Sequence, residues 1–277
     1  MKVLFLTQYF PPEVGAPQNR LFEIAVRLQK LGCEMQILTA MPNYPSMEIQ
    51  DAYKGKVFVR EQMSDMDVVR TWIYAKPTSS LVLRMLNYYS FAILAFFRGL
   101  FLGKADVVFV ESPPLFLGKT AWLLAKIKGA KMVFNVSDLW PESAEKLGLV
   151  TNQKALKLAT ILEEFLYRKS NGISGQTQGI VANIKARFPN KPYLWLPNGA
   201  DLQFYNPELN HDLNDLPDVF KNGKKTFFYG GIIGHAQGLE IILDAAAGYK
   251  ERTDVQFVLL GSGPEKEGLM HKAKEMG

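Results

Sequence analysis

The chain has 277 residues, of which 48% are hydrophobic and 21% are charged. This balance is typical of a folded globular protein and excludes a chain that is mostly disordered. The formal net charge is +5, but the lysine and arginine residues are scattered, so nucleic acid is not an expected partner. Cys33 is the single cysteine, which excludes an internal disulfide and favours a reducing, cytoplasmic compartment.

Apolar runs of strand length alternate with helical patterns along residues 1–200. Strands are predicted at 3–7, 35–39, 68–74, 107–110, 132–136 and 193–196, and helices at 19–31, 84–102, 116–128, 154–169 and 176–187. The first apolar run is too short for a signal peptide and is interpreted as a buried strand. Continuous apolar strands separated by helices predict a parallel sheet covered on both faces. In helix 154–169, the predicted apolar stripe contains Leu158, Ile161, Leu162 and Phe165.

A polar segment, 206–225, interrupts this alternation, and the pattern then restarts. A strand is predicted at 226–229, a helix at 239–249, a strand at 255–260 and a last helix near Pro264. We therefore expect an α/β fold with a doubly wound, Rossmann-like N-terminal domain over 1–200, a connector over 201–225 and a second Rossmann-like domain beginning at 226–277. Two strands and two helices make a poor independent core, so this second domain is expected to be incomplete.

The stretch 85–102 is nearly all apolar and approaches the length of a membrane span. Asn87 and Arg98 interrupt it, and Arg84 and Lys104 flank it. The favoured interpretation is a helix buried between the sheet and its neighbours. A helix that lies in the membrane surface, giving peripheral contact through 84–104, is the alternative. A true span is disfavoured because another strand and helix follow.

Ligands of open α/β sheets bind beside the carboxyl ends of the strands, and the first such loop here is YFPPEVGAPQNR. Gly15 permits a close approach of the backbone, and the amides from Ala16 onward can face an anion at the helix N-terminus. Glu111 also follows a strand, in VESPPLF. The alternative for the Gly15 segment is an ordinary turn stiffened by proline, and the alternative for Glu111 is the entry to a helix. Neither segment is therefore specific for a ligand site by itself.

The loop VSDLWPES follows the strand predicted at 132–136. Asp138 and Glu142 are placed where a general base or a hydrogen-bond acceptor would meet a sugar hydroxyl. Trp140 offers an apolar face for a sugar ring. The alternative is that Ser137 or Asp138 only caps a helix that begins at Pro141.

The second unit carries two glycine-rich turns, YGGIIGHAQGLE and VLLGSGPEKEGL. Glycines directly after a strand, with a helix following at once, present backbone amides to an anion. Two such turns in tandem are more specific for a nucleotide diphosphate than one. The candidate diphosphate-binding residues are Gly230, Gly231, Gly234, His235, Gln237, Gly238, Gly261 and Gly263.

Other familiar sites are disfavoured. The segment LGKT is not the end of a P-loop, because Pro113 stands where the first glycine is required. Neither glycine turn matches G-x-G-x-x-G, which disfavours a Rossmann-type oxidoreductase. Asp65 and Asp67 precede a strand and are interpreted as a solvated turn. The three histidines and one cysteine have no zinc spacing, so no metal and no cofactor are expected.

Taken together, these stretches resemble the retaining GT-B glycosyltransferases of family 4. YFPPEVGAPQNRLFEIAVRLQKLGCEMQILTA, NVSDLWPES, LPNGADLQFYNP and the two glycine turns occur in that family's order. VRTWIY and RMLNYYSFAI are similar to its fucosamine-transferase-like branch, which builds surface polysaccharide. The resemblance implies transfer of a sugar from a nucleoside diphosphate, with retention and usually without a metal. It also implies a lipid-linked saccharide acceptor at the inner face of the cell membrane, in O-antigen, capsule or exopolysaccharide synthesis.

The departures from the family are equally informative. Gly231 and Gln237 stand where the family often has Arg and Lys, so glycine amides, the helix near Gly238 and His235 are expected to replace those cations. The family's histidine in the acceptor loop has no counterpart, which leaves Asp138 as the local candidate. The family's acidic Glu-x7-Glu motif would lie after the last residue. We therefore expect no competent transferase from these residues alone, and a non-catalytic acceptor-binding or assembly module is the alternative.

Overall fold

The computed structural model describes residues 1–78, 80–199, 201–203, 205–206, 208 and 216–277. Of the predicted connector, Phe204, Pro207 and 209–215 lie outside the described residues, as does Ala200 before it. The chain divides into two compact units, Met1–Asp201 and Leu202–Gly277. Each unit has its own sheet, of eight and two strands within the described residues. The predicted α/β fold class with a mainly parallel sheet is confirmed.

The strands of the first unit are β1 (Lys2–Leu6), β2 (Glu34–Ala40), β3 (Phe58–Met63), β4 (Met66–Thr71), β5 (Val107–Ser112), β6 (Lys131–Val136), β7 (Gly172–Gly175) and β8 (Tyr193–Trp195). Their order across the sheet is β3-β4-β2-β1-β5-β6-β7-β8. All neighbours pair in parallel except β3, which is antiparallel to β4. The chain therefore builds outward from β1 on one side and then returns to build the other side from β5.

The helices of the first unit are α1 (Ala16–Lys30), α2 (Leu81–Leu100), α3 (Leu115–Lys128), α4 (Glu142–Lys146), α5 (Gln153–Lys169) and α6 (Gln178–Arg187). Side chains of a strand alternate between the two faces of a sheet, and those of β1 enter two different cores. Val3 and Phe5 pack with Leu21 of α1, whereas Leu4 and Leu6 pack in the core that α2, α3 and α5 cover. Helices therefore cover both faces of the sheet, as the continuous apolar strands predicted.

Two strands of the sheet were missing from the predicted set. A two-residue turn joins β3 to β4, and Ser64 and Asp65 in this turn have φ values of 48° and 60°. Two successive residues with positive φ are typical of a type I′ hairpin, whose usual sequence is Asn-Gly or Asp-Gly. Asp67 lies in β4 and pairs with Arg60 across 2.6 Å, so it is a strand residue and not part of the turn. The strand β7 was missed because Ile173 is the one large apolar residue in GISG.

Helix α2 is buried on one face only, which corrects the prediction of a helix enclosed by its neighbours. Phe91 and Ala95 are fully buried, whereas Ile93 and Phe97 are more than half exposed. Leu158 and Ile161 of α5 are exposed too, because α5 turns Leu166 toward the sheet instead. Among the described helices, none combines the length and the apolar character that crossing a membrane requires.

The second unit contains β9 (Lys225–Ile232), α7 (Glu240–Ala247), β10 (Val255–Ser262) and α8 (Lys266–Met276). The two strands are parallel, and their pairing runs through Gly231 opposite Gly261 to Ile232 opposite Ser262. Gly230, Gly231 and Gly261 are therefore strand residues, which corrects their placement in loops. The strands continue through these glycines because residues without a Cβ atom allow the two backbones to stay paired. The small core contains Ile233, Leu239 and Leu269.

Candidate functional site

The carboxyl ends of the parallel strands meet at one edge of the first sheet. The chain order reverses between β1 and β5, and this switch point is where open α/β sheets bind their ligands. The loops that follow β1 and β6 hold Gly15 and Asp138. Glu111 lies inside β5, near its carboxyl end, which corrects its predicted placement in the loop after that strand. Sequence reasoning therefore placed its acceptor-side candidates on one edge of one sheet.

A buried ion pair lies directly beneath this edge. Arg20 of α1 donates from Nη2 to Oε1 of Glu111 at the end of β5, and each side chain is only 6% exposed. Arg20 also donates from Nη1 to Oε1 of Gln176, over 2.8 Å. One guanidinium group thus fastens α1 to β5 and to the loop after β7.

The Glu111 carboxylate is occupied by protein donors on both oxygens. Asn135 donates to Oε2, and the Ser137 hydroxyl donates to Oε1. Ser174 in turn donates to the Asn135 side-chain oxygen over 2.6 Å. Burial raises the pKa of Glu111, while the Arg20 charge and the hydrogen bonds from Ser137 and Asn135 act in the opposite direction. Glu111 therefore holds the loop that contains Ser137.

Asp138 follows this fixed residue, and its side chain is exposed. Helix α4 starts after Pro141, whose position carries no side-chain cap, so Asp138 does not cap that helix. Ser137 is likewise not a cap, because its hydroxyl is bound to Glu111. Asp138 is thus a carboxylate on a loop whose base is tied to a buried ion pair. Such a group is available to accept a proton or a hydrogen bond from a ligand.

Glu142 and Trp140 have different surroundings from Asp138. Glu142 is in the first turn of α4 and forms an ion pair with Lys146 over 2.6 Å, one turn along the same helix. Trp140 lines an apolar pocket of about 160 Å³ together with Tyr88 and Phe116, and Arg84 is the charged residue in its wall. Trp140 therefore lies among apolar side chains in a small pocket, and its contact with a sugar ring stays a prediction.

The loop before Gly15 is fixed by a second buried carboxylate. Oε1 of Glu13 accepts hydrogen bonds from the backbone amides of Asn43 and Tyr44, at 2.7 and 2.8 Å. Burial raises the pKa of Glu13, and these backbone hydrogen bonds oppose that rise. A Cβ atom at Gly15 would lie 2.5 Å from Oε1 of Gln18, so glycine leaves room for that side chain. Helix α1 begins at Ala16, its N-terminal position carries no side-chain cap, and Pro17 lies in its first turn.

Three buried polar atoms near the switch point have no hydrogen-bond partner among the described residues: Gln8 Oε1, Gln18 Oε1 and Arg20 Nε. Buried polar atoms are nearly always paired in folded proteins, by protein groups or by bound molecules. All three atoms lie on the loop after β1 or in the first turns of α1, beside the candidate site.

Sequence reasoning did not identify Arg20, Asn135 or Gln176. Asn135 gave a usable signal, because it interrupts the otherwise apolar strand KMVFNV. Arg20 and Gln176 are 156 positions apart, so no local pattern could pair them. The network had to be seen in three dimensions.

In the second unit, glycines bring the ends of β9 and β10 into direct backbone contact. A Cβ atom at Gly261 would lie 1.9 Å from the carbonyl oxygen of Gly231. One at Gly263, where φ is +155°, would lie 2.1 Å from the carbonyl oxygen of Ile233. No other residue type fits at either position without moving the backbone.

The turn between β9 and α7 contains the remaining donor-side candidates. Gly234 precedes a short 3₁₀ turn, His235–Gln237, and Gly238 has a left-handed conformation with φ of 56°. The side chains of His235 and Gln237 are both exposed. Helix α7 begins two residues after Gly238, and no side chain caps its N-terminus. Glu240 places one acidic side chain in its first turn. Residues 234–238 of this turn include neither lysine nor arginine.

The first unit coincides with a known family. A family model described as a glycosyl transferase 4-like domain matches residues 15–199, which is more than half of the chain. WcaI of Escherichia coli K12, named as a colanic acid biosynthesis glycosyl transferase, is 27% identical over 289 residues. That alignment covers 100% of this chain and 70% of WcaI.

Solved structures share the fold over both units. The catalytic domain of starch synthase IV from Arabidopsis thaliana, bound to ADP and acarbose, has a TM-score of 0.63 at 18% identity, and the match covers 98% of this chain and 72% of that one. HepE of Anabaena, in complex with UDP, has a TM-score of 0.63 at 14% identity, covering 100% of this chain and 66% of HepE. This chain thus spans part of the length of each relative. The fold is of GT-B type, and with the matched segment running from the Gly15 loop to the end of the first unit, the chain belongs to the glycosyl transferase 4-like family.

Proposed function

We propose that this protein transfers a sugar from a nucleoside diphosphate to a saccharide acceptor during the synthesis of a surface polysaccharide. The observation that carries the proposal is the pair of glycine turns at the ends of β9 and β10, where Gly261 and Gly263 allow backbone contact with Gly231 and Ile233. The family match supports the transferase class, and the name of WcaI supports a polysaccharide product. The UDP and ADP complexes of the structural relatives support a nucleotide sugar as donor, and we propose no cofactor.

We assign the donor side to residues 226–277, after a connector at 201–225. Backbone amides around Gly234 and Gly238, the N-terminal end of α7, and the side chains of His235 and Gln237 would bind the diphosphate there. Amide groups aimed at a leaving group stabilise the charge that develops as it departs. Gly231 and Gln237 stand where the family that this sequence resembles often has cations. The backbone amides would therefore contribute a larger share of the binding energy for the diphosphate.

The acceptor side is assigned to residues 1–200. Asp138 would accept a hydrogen bond or a proton from the attacking hydroxyl, and Trp140 would contact the apolar face of a sugar. Arg20 and Glu111 act as positioning residues, since they hold Ser137 and therefore the loop of Asp138. The proposed acceptor is a saccharide linked to a lipid, and the proposed location is cytoplasmic. Retention at the anomeric carbon is proposed from the resemblance of the motifs alone.

The donor assignment is tested by calorimetric titration with UDP and ADP. Gln237→Lys restores a cation beside the turn, and a new charge near a bound diphosphate should strengthen UDP binding by about fivefold or more. Lys250→Gln, which removes a charge elsewhere in the same unit, is the matched control and should leave the affinity unchanged. A lack of binding by both nucleotides, with or without the new lysine, would contradict the donor assignment and favour a non-catalytic acceptor-binding module.

A further inference from the structure

The outward face of helix α2 is an unbroken apolar stripe. Its members are separated by three or four residues and all are exposed: Val82, Leu86, Tyr89, Ile93, Phe97 and Leu100. Because a helix rises by about 1.5 Å per residue, the stripe is about 27 Å long. The opposite face is anchored in the core through Phe91 and Ala95. The stripe is therefore a fixed feature of a packed helix.

Helix α3 widens this surface. The rings of Tyr89 and Phe116 lie 4.4 Å apart at the junction of the two helices. Beside them is an open, mainly apolar groove of about 400 Å³, with Leu123 of α3 and Leu162 of α5 in its wall. The exposed Leu158 and Ile161 continue the apolar area along α5. We call the exposed side chains of α2 and α3 together the α2–α3 surface.

Charge on the α2–α3 surface has one sign. The whole chain has 27 Asp and Glu among its 277 residues. The 20 residues of α2 and the 14 residues of α3 include none of them. Arg84, Lys119 and Lys126 are exposed on these helices, and Lys104 is exposed just beyond α2. Lys119 lies in the wall of the apolar groove itself. Cations thus border an apolar strip without any compensating carboxylate on the same helices.

We propose that the α2–α3 surface binds the surface of an anionic lipid bilayer. Apolar side chains on one helix face enter the boundary between headgroups and acyl chains, while lysine and arginine contact the lipid phosphates. Tyr89, which is exposed on α2, is of a type enriched at that boundary. A protein partner fits less well, because the cores of protein interfaces are depleted of lysine. The same argument disfavours a second copy of the chain, which would place Lys119 and Lys126 against like charges.

The position of this surface has a consequence that rests on the proposed function. The apolar pocket lined by Trp140 is also lined by Arg84 and Tyr88 of α2 and by Phe116 of α3. The surface therefore continues into the pocket beside the Asp138 loop. A protein seated this way holds the acceptor side at the membrane, where a lipid-linked saccharide is available.

Vesicle flotation of the purified chain tests membrane binding without catalysis, so its failure leaves sugar transfer untouched. The chain should float with phosphatidylcholine vesicles that contain phosphatidylglycerol, and added salt should weaken that binding. The double variant Ile93→Ser, Phe97→Ser removes two large apolar side chains and should weaken binding by about tenfold or more. Lys119→Gln with Lys126→Gln should weaken binding to anionic vesicles and reduce its salt dependence.

The controls use the other face of the sheet. The control variants are Leu31→Ser and Lys30→Gln, at the end of α1, and both should bind vesicles like the wild type. Leu31 is 81% exposed. The variant Ile93→Leu, Phe97→Leu retains apolar character and should retain binding, and thermal melts confirm that each variant is folded. Equal flotation of the serine and leucine pairs would overturn the proposal. So would the absence of flotation together with a dimer, detected by sedimentation, that the serine pair abolishes.

Discussion

At the scale of single residues, the first unit has two buried acidic side chains and one exposed acidic side chain near the candidate site. Glu13 and Glu111 are buried and accept hydrogen bonds from backbone or side-chain donors, whereas Asp138 is exposed. Chemistry at neutral pH needs a group that a ligand can reach, and stability needs groups whose partners are fixed. We therefore expect the three acidic residues to respond differently to substitution.

In a full-length version of the enzyme, Asp138→Ala should lower turnover by about 100-fold or more, the usual contribution of a positioned acid or base. Its thermal midpoint should stay near that of the wild type, because an exposed side chain that caps no helix contributes little to stability. Glu145→Ala, in the following helix, is the matched control and should be active. The measurement is a paired assay of initial rate and thermal melting, and wild-type turnover by Asp138→Ala would remove Asp138 from the mechanism.

Glu13→Ala should show the reverse behaviour and destabilise the fold. The change leaves the buried amides of Asn43 and Tyr44 without an acceptor, at about 1–3 kcal/mol for each. Glu48→Ala removes an exposed carboxylate from the next loop and should be nearly neutral. Chemical denaturation measures both free energies of unfolding, and equal values for the two variants would contradict the assigned role.

The Glu13 carboxyl also predicts a pH dependence. Because burial raises its pKa in the folded state, the stability that it contributes is fully present below its unfolded pKa and is lost as pH rises through the folded pKa. The free energy of unfolding of the wild type should therefore fall relative to that of Glu13→Gln as pH rises from about 4. Denaturation curves at several pH values check the sign, and a rise over that range would show that the hydrogen bonds dominate the pKa.

At the scale of secondary-structure elements, the sequence predicted helices better than site contacts. The helices α3 and α5 begin within one residue of their predicted starts, because apolar spacing over many residues defines them. The strands β3 and β7 lacked that signal, one being an edge strand with alternating exposure and the other a short segment with two glycines. The exposed face of α2 could not be predicted, since periodicity alone does not say which apolar face is covered.

The same comparison holds for the candidate site. The loops that hold Gly15, Asp138 and Trp140 follow from a general rule about the edges of parallel sheets, which needs only the order of elements. The Arg20 contacts do not follow from it, because Glu111 and Gln176 reach one guanidinium from distant parts of the chain. Local sequence specifies where a site is, and packing specifies which side chains support it.

The paired strands β9 and β10 carry a prediction of their own. Gly263→Ala should push the backbone of Ile233 away and weaken UDP binding by about tenfold or more, as the added Cβ meets a carbonyl oxygen. Gly223→Ala is a matched control: Gly223 also has a positive φ, of +73°, but no atom lies within 4 Å of the added Cβ. Calorimetric titration of both variants distinguishes backbone contact from strain in the dihedral angle, and equal affinities would contradict a role for the contact.

At the scale of the whole molecule, the two units differ in the cores that they possess. The first unit has two large buried clusters, one on each face of its sheet. The second has a cluster of Ile233, Leu239 and Leu269 with few partly buried neighbours. Apolar burial is the main source of folding stability, so the units should differ in autonomy.

Residues 1–201, expressed alone, should therefore unfold in one cooperative transition near that of the whole chain. Residues 216–277 alone should lack a comparable transition, because a three-residue core offsets little of the entropy of ordering the chain. Differential scanning calorimetry compares the two fragments with the intact protein. A large loss of stability in the first fragment would show that the second unit supports it.

The network around Glu111 has a consequence for synthesis of the protein on the ribosome. Its members lie at positions 20, 111, 135, 137, 174 and 176, so they leave the ribosome over most of the length of the first unit. A nascent chain that ends after β5 contains the arginine and the carboxylate but none of the later donors. The network is therefore complete only after β7 and Gln176 have been synthesised. A nascent chain that terminates upstream of Gln176 should lack one of the contacts that hold Arg20, and with it part of the support of the Asp138 loop.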